Sequence, residues 1–264
     1  MLIIGENINS SSKKILQALQ EQDAAFLLNL AKEQVAAGAN MIDINAAKRL
    51  EHEKGDLEWL VKVIQAEMEV PICLDCTEAE ALEAGLKVHK GKAMINSVCK
   101  DRVRLETILP LAAQYKASVV ALAMSEENIP STVEERLQIS LELIKTIREY
   151  GVPDTDIYID PLVFPVAVDT DNAQKTLTLI REIKGTFPQV RTIIGLSNIS
   201  YGLPKRDLIN AVFLSIARYA GLDAALLNPF EKKVLTLLKA TELLLGNDEY
   251  CRNYLVSYRK RELA

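Results

Sequence analysis

Hydrophobic positions in this chain follow two periods in turn. Short runs of β-branched and aliphatic residues, the pattern of buried parallel strands, are separated by longer stretches in which apolar residues recur every three or four positions, the pattern of amphipathic helices. Eight runs predict strands at Leu2–Gly5, Met41–Asn45, Pro71–Asp75, Lys92–Asn96, Ser118–Met124, Ile157–Asp160, Arg191–Ser197 and Leu222–Leu226. Between them lie stripes such as Leu137, Leu141, Ile144 and Ile147, or Val234, Leu237, Leu238, Thr241, Leu244 and Leu245. Both read as core-facing. The stretch Thr192–Arg206 opens one whole unit: an apolar strand, a polar tip at Ser197 and Asn198 and a loop marked by Gly202 and Pro204, after which, from Arg206, the period becomes helical at Leu208, Ile209, Val212, Phe213 and Ile216.

Punctuation supports the division. Gly38, Gly151, Gly185 and Gly221 each close a helical pattern where a left-handed cap is needed, and Pro153 and Pro188 follow two of them. Thr77-Glu-Ala-Glu80 and Ser131-Thr-Val-Glu134 read as capping boxes that open helices. Past Gly246, the polar segment at about 248–261 reads as an extra terminal helix. Eight strand–helix units in 264 residues predict a closed α/β barrel, a (β/α)8 TIM barrel forming a single domain over 1–264. An open doubly wound sheet is the poorer fit, because its crevice usually carries a glycine-rich phosphate loop that this sequence lacks.

Composition narrows the class of function. A net charge of −5 and a pI near 5.3 give no electrostatic reason to bind nucleic acid or an anionic membrane. Leu2-Ile-Ile4 is too short for a signal peptide, and no run reaches bilayer length, so a soluble cytoplasmic protein is expected. Cys73 and Cys76 have CxxC spacing, but in a strand positions three apart point to opposite faces, so they read as buried thiols. With His52 and His89 the only histidines, no metal site is expected.

In a barrel of this kind chemistry sits where the strands end. Those ends read Glu6 and Asn7, Asp43 and Asn45, Asp75, Asn96 and Ser97, Asp160, and then Ser197 and Asn198. Any one of them alone is an ordinary turn or cap residue. Together they make a rim of carboxylates and carboxamides, with no His or Cys paired as base and nucleophile, no lysine set for a Schiff base and no phosphate loop. Paired acceptors suit a planar edge of N–H and NH2 groups, and a carboxamide donates and accepts side by side. The 2-amino-4-oxo ring of a pterin meets both demands, and each charged hydrogen bond, buried and matched, stabilises a complex by roughly 1.5–3 kcal/mol.

The same segments carry a resemblance. Ile4-Gly-Glu-Asn-Ile-Asn9, Asp43-Ile-Asn45, Leu74-Asp75, Ile95-Asn-Ser97, Ile159-Asp-Pro161 and, most specifically, Gly195-Leu-Ser-Asn-Ile-Ser-Tyr-Gly-Leu-Pro204 followed by Arg206-Asp-Leu-Ile-Asn210 resemble the methyltetrahydrofolate:corrinoid protein methyltransferases. That pterin-binding family is akin to the folate domain of cobalamin-dependent methionine synthase and, more distantly, to dihydropteroate synthase. The resemblance covers essentially the whole chain. It implies that Asp75, Asn96 and Asp160 hold the pterin ring, that Asp160 faces the N3–H and 2-amino edge, that Asn198 meets N5, and that Gly195 and Ser197 line the site. Asn198 and Asp160 would be the catalytic pair, with Glu6, Asn7, Asp43, Asn45 and Arg206 as rim or supporting residues. The family more often has arginine after the first glutamate, where this chain has Asn7.

The implied reaction moves a methyl group between N5 of tetrahydrofolate and the cobalt of a corrinoid. The chain lacks a D-x-H-x-x-G corrinoid motif, since Leu50 and Lys87 stand two positions before His52 and His89. A separate corrinoid protein is therefore the implied partner, docking over a rim formed by residues 162–169 and 198–206, and a homodimer is the implied assembly. O-demethylation and acetogenesis are the settings in which such a transfer operates. A dihydropteroate synthase-like enzyme and a non-catalytic folate-binding barrel remain alternatives that the same cup of side chains would serve.

Overall fold

Residues 1–126 and 128–263 are described by the computed structural model. In chain order its elements are β1 (Leu2–Asn9), α1 (Lys13–Glu21), α2 (Ala24–Ala37), β2 (Met41–Asn45), α3 (Glu53–Glu67), β3 (Ile72–Asp75), α4 (Ala79–Val88), β4 (Met94–Lys100) and α5 (Arg102–Tyr115). These are followed by β5 (Ser118–Ser125), α6 (Val133–Glu149), β6 (Ile157–Asp160), α7 (Asn172–Thr186), β7 (Arg191–Gly195), α8 (Arg206–Ala220), β8 (Ala224–Leu227), α9 (Lys232–Leu244) and α10 (Arg252–Arg259). Every strand pairs in parallel with the next, and β8 returns to β1. The result is the (β/α)8 barrel expected from the two alternating periods.

A parallel strand in such a barrel is covered on both faces, which is why its sequence is apolar throughout. Outward residues such as Ile42, Ile44, Leu74, Ile95, Val119 and Ile159 pack under the helices. Inward residues Ile4, Met41, Cys73, Met94, Val120, Tyr158, Ile193 and Ala224 form a separate cluster filling the barrel. At the N-terminal end Arg191 Nη1 donates to the Tyr158 hydroxyl at 2.6 Å, so the open end of the barrel is the other one. Cys73 and Cys76 are free and buried and fall in the inner and outer clusters respectively.

Several local expectations shift. The capping box forms one residue later than expected, with Thr132 and Glu135 in place of Ser131 and Glu134, because the Glu135 carboxylate accepts from both the Ser131 and Thr132 amides. No box forms at Thr77 and Glu80: α4 starts after Glu78 with no side-chain cap. Gly38 and Gly221 do cap helices at positive φ, but Gly185 lies inside α7. β4 runs from Met94 to Lys100 and so starts and ends later than the sequence suggested. β7 stops at Gly195, where Leu196–Ser200 winds into a short 3-10 turn. The terminal helix occupies only Arg252–Arg259.

The apolar period of α8 proves to be two stripes. Ala211, Phe213, Leu214 and Ala217 face the barrel, whereas Leu208, Val212, Ile216 and Tyr219 lie exposed on the opposite face. Leu237 and Leu244 of α9 are exposed as well. Periodicity alone could not assign them, because both faces of these helices are apolar.

Candidate active site

Alternation along a strand decides which side chains enter the barrel. Above the apolar floor, the next inward position is Glu6 on β1, Asp43 and then Asn45 on β2, Asp75 on β3, Asn96 on β4, Asp160 on β6 and Gly195 on β7. Strand register sharpens this. Asn45 is paired with Asp75, and Asp75 with Asn96. Their side chains therefore form one row on adjacent strands, separated by the strand spacing of about 4.8 Å.

Hydrogen bonds knit these groups together. Asn45 Nδ2 donates to Asp75 Oδ2 at 3.0 Å, and Asn96 Nδ2 donates to Asp43 Oδ1 at 3.3 Å. Across the mouth the Ser197 hydroxyl donates to Glu6 Oε1 at 2.8 Å. Asp160 Oδ1 accepts the Leu162 amide at 2.8 Å, which leaves acceptor capacity facing the lumen. Asn198 is exposed at the mouth, on the 3-10 turn after β7. Its Nδ2 would lie 3.3 Å from a Cβ at position 195, so Gly195 keeps the floor beneath the carboxamide open.

Two of the residues expected at the rim or in support stand outside the inward row. Asn7 falls in an irregular stretch of β1 pairing between Gly5 and Ile8, where its amide donates to the Gln34 side chain at 3.1 Å. Arg206 is exposed and braces the loop, donating from Nη2 to the Ser197 carbonyl at 2.6 Å and from Nε to the Ser200 hydroxyl at 3.0 Å.

The sequence reading missed three supports. Buried Ser10 donates to Asn45 Oδ1 at 2.8 Å, which aims the Asn45 NH2 at Asp75. Arg104 donates twice to the Ser97 carbonyl, at 2.9 and 2.6 Å, beyond the cis Asn96–Ser97 peptide. Arg136, buried on α6, donates to the carbonyls of Pro130, Pro161 and Leu162 and so holds the loop below Asp160. A lone serine after a strand, or an arginine in the first turns of a helix, has no sequence pattern that marks it as part of a site.

Burial sets the electrostatics. It raises the Asp160 carboxyl to about 6, against the opposing pull of the Leu162 amide and Arg136. It raises Asp43 further, well above the carboxylate range, with the negative charge of Asp75 adding to the effect. Asp75 and Glu6 are also raised by burial, the latter opposed by the Ser197 hydroxyl. At neutral pH the cup therefore holds a protonated Asp43 that donates and an ionised Asp160 that accepts.

All these values are raised, so the native state binds protons that the unfolded chain has released. The associated stability is fully present below about pH 4, where unfolded aspartate titrates, and is lost as pH climbs through about 6 for Asp160 and higher for Asp43. The melting temperature of the ligand-free protein should accordingly fall between pH 5 and 8. Asp43→Asn should flatten that fall and raise the melting temperature at pH 8, by roughly 2–4 °C for each kcal/mol of ionisation cost removed. Calorimetry across the pH range checks this; an unchanged slope in the variant would remove Asp43 from the account.

The arrangement can bind a planar, neutral or weakly cationic heterocycle edge-on and stabilise charge at an atom near Asn198. Among the described residues no group of three or more His, Cys, Asp or Glu side chains is placed to hold a metal ion. Residues 5–228 match the family described as pterin binding enzyme. The whole chain is 31% identical, over 266 aligned positions and 98% of the relative's length, to a methylcorrinoid:tetrahydrofolate methyltransferase of Eubacterium limosum. It is also 33% identical to the methionine synthases of Mycobacterium tuberculosis and Mycobacterium leprae over 92% of this chain, which spans about 21% of those longer proteins.

Proposed function

This chain belongs to the pterin-binding enzymes, and from that premise we propose that it transfers a methyl group between N5 of tetrahydrofolate and the cobalt of a corrinoid carried by a separate protein. The observation that carries the proposal is the inward row of Asn45, Asp75 and Asn96, with Asp160 across the lumen and Asn198 at its mouth. Ionised Asp160 accepts from the N3–H and 2-amino groups. Asp75 and Asn96 hold the remaining polar edge, and Asn198 meets N5.

The chemistry is a displacement. When a methyl-corrinoid is the donor, the N5 lone pair attacks the methyl carbon. The carbon–cobalt bond breaks with both electrons left on cobalt, and N5 then loses its proton. In reverse, the departing N5 is a poor leaving group unless it is protonated or strongly hydrogen-bonded. Asn198 stabilises that centre but has no acidic proton to give; the raised carboxyl of Asp43 is the group nearby that holds a proton near neutrality.

A dihydropteroate synthase-like reaction fits less well. It releases diphosphate, whereas the cup is lined by acids and amides, and the nearest arginines, Arg104, Arg136 and Arg206, are engaged with backbone carbonyls. Incubating the protein anaerobically with methylcobalamin and tetrahydrofolate tests the proposal. Growth of the cob(I)alamin spectrum with stoichiometric methyltetrahydrofolate is expected, and tight folate binding without that change would reduce the protein to a binder.

The mouth suits a protein partner. One large apolar side chain is exposed in the loop or first helical turn of six of the eight crossovers at this end, those after β2, β4, β5, β6, β7 and β8: Leu50, Val103, Ile129, Val168, Tyr201 and Phe230. Val168 is 81% exposed, and Val168 and Tyr201 lie within the two rim segments expected from the sequence. The double variant Val103→Glu, Val168→Glu should lower kcat/KM with the corrinoid protein about tenfold or more, since burying two charges costs over 1 kcal/mol. With free methylcobalamin the rate should change by less than about twofold, and equal losses with both donors would overturn the docking surface. A homodimer belongs to the same proposal, joined through the uncharged outer stripe of α8. So does a cytoplasmic setting, which the four free cysteines support. No helix among the described residues is long and apolar enough to cross a membrane.

A further inference from the structure

One buried charge has no part in the methyl transfer step as described. Arg136 on α6 is only 3% exposed, and a buried guanidinium is costly unless its charge is balanced. Its hydrogen bonds to described residues run to carbonyls and not to a carboxylate: from Nε to Pro130 at 3.1 Å, and from Nη1 to Pro161 and Leu162 at 3.3 and 3.2 Å. Its face lies 5.0 Å from the centre of the Phe164 ring.

The Pro161 carbonyl is one end of a peptide group whose other end is the Leu162 N–H. That N–H donates to Asp160 Oδ1 at 2.8 Å. A single peptide unit therefore stands between guanidinium and carboxylate, accepting from the cation and donating to the anion, an alignment in which each bond polarises the other. Leu162 sits at φ +65°, a left-handed conformation uncommon for leucine, and its own carbonyl is also held by Arg136. Burial works against both ions, and each favours the charged form of the other. The remaining charges nearby are engaged or distant. Glu135 is turned to the Ser131 and Thr132 amides, Lys175 pairs with Asp169, and Glu6, Asp43 and Asp75 stand on β1, β2 and β3, three or four strands from β6 round the barrel.

We propose that Arg136 is a positioning residue for methyl transfer: acting through the Pro161–Leu162 peptide, it supplies the counter-charge of Asp160 and aims that carboxylate at the pterin, in the orientation proposed above, on which this inference rests. Such a counter-charge separates Asp160 from Asp43, which is favoured by no cation and keeps its proton to a higher pH.

Anaerobic titration with tetrahydrofolate from pH 5 to 8.5 tests the role. The wild type should lose affinity below about pH 6, as Asp160 takes up its proton. Arg136→Gln keeps an amide donor for the loop and removes the charge. It should move that step to about pH 7–8, so that binding is about two- to tenfold weaker at pH 7 and returns to within about threefold of the wild type at pH 8.5. Arg136→Lys retains the charge and should leave the step near pH 6. If Arg136 serves the fold alone, affinity falls equally at every pH and the step does not move, which overturns the proposal. A second measurement needs neither variant nor ligand. In NMR spectra of the wild type, the Leu162 amide and Arg136 Nε–H signals should titrate together with one midpoint near 6. An Arg136 signal that stays flat from pH 5 to 8 overturns the coupling even if Arg136→Gln does not fold. Failure of the wild type to bind tetrahydrofolate, with the two signals still titrating together, overturns the reading of the cup and leaves the coupling of Arg136 to Asp160 standing.

Discussion

Asn198→Ala should slow methyl transfer about 10²–10³-fold while moving the dissociation constant of tetrahydrofolate only a few-fold. The separation follows from where the charge appears. In the ground state N5 is a neutral amine, and its hydrogen bond to a carboxamide at an exposed position is worth about 1 kcal/mol. In the transition state N5 gains positive character as it accepts the methyl group, or sheds it when it donates. A fixed carboxamide dipole is then worth several kcal/mol, because it need not reorganise. The rest of the cup, on other strands, keeps its grip on the ring, so affinity survives. Single-turnover kinetics beside equilibrium titration would measure both. A matched loss in rate and affinity would make Asn198 a binding residue and leave the charge stabilisation to another group.

Asp160→Asn should show the opposite profile, with affinity for tetrahydrofolate down about 10–100-fold and the folded protein stabilised. The carboxylate accepts two N–H groups from the ring, and an asparagine presents an NH2 where one acceptor was needed. The loss is the 1.5–3 kcal/mol of a charged hydrogen bond. The same burial that makes the ion strong toward the ligand raises its carboxyl to about 6, so ionised Asp160 costs stability at neutral pH, and that cost disappears in the variant. Wild-type affinity should for the same reason weaken as pH falls below about 6, where the acceptor becomes a donor, and Asp160→Asn should lack this step. Calorimetric titration at pH 5 to 8 checks the sign. An affinity that rises on acidification would place the pterin edge elsewhere.

The architecture was readable because strands and helices here differ in period, and six of the eight apolar runs end in polar residues, whose parity along the strand fixes their direction. Glu6, Asp43, Asp75, Asn96 and Asp160 enter the lumen for that reason. Asn198 was legible only through its neighbours, since it stands beyond the strand on a 3-10 turn where parity gives no guidance. Ser10, Arg104 and Arg136 were hidden: their bonds run to backbone carbonyls and to a carboxamide across irregular loops, and no strand or helix period encodes such contacts. The capping box slipped by one residue because Ser131 and Thr132 are both competent caps, and the choice depends on the reach of Glu135. The outer stripe of α8 misled in another way, since a helix with two apolar faces gives the same pattern as a helix with one deeply buried face.

Because Asn45, Asp75 and Asn96 occupy one rung of the closed sheet, their mutual distances are set by backbone ladders that cannot slide: a one-residue slip would turn each side chain out of the lumen. The exposed apolar residues around the opening hang on crossovers with no such constraint. Substitution and length change can therefore accumulate in the crossovers while the recognition rung stays rigid. Grafting the βα crossovers of a relative onto this frame should exchange the protein it answers to without disturbing the small molecule it holds.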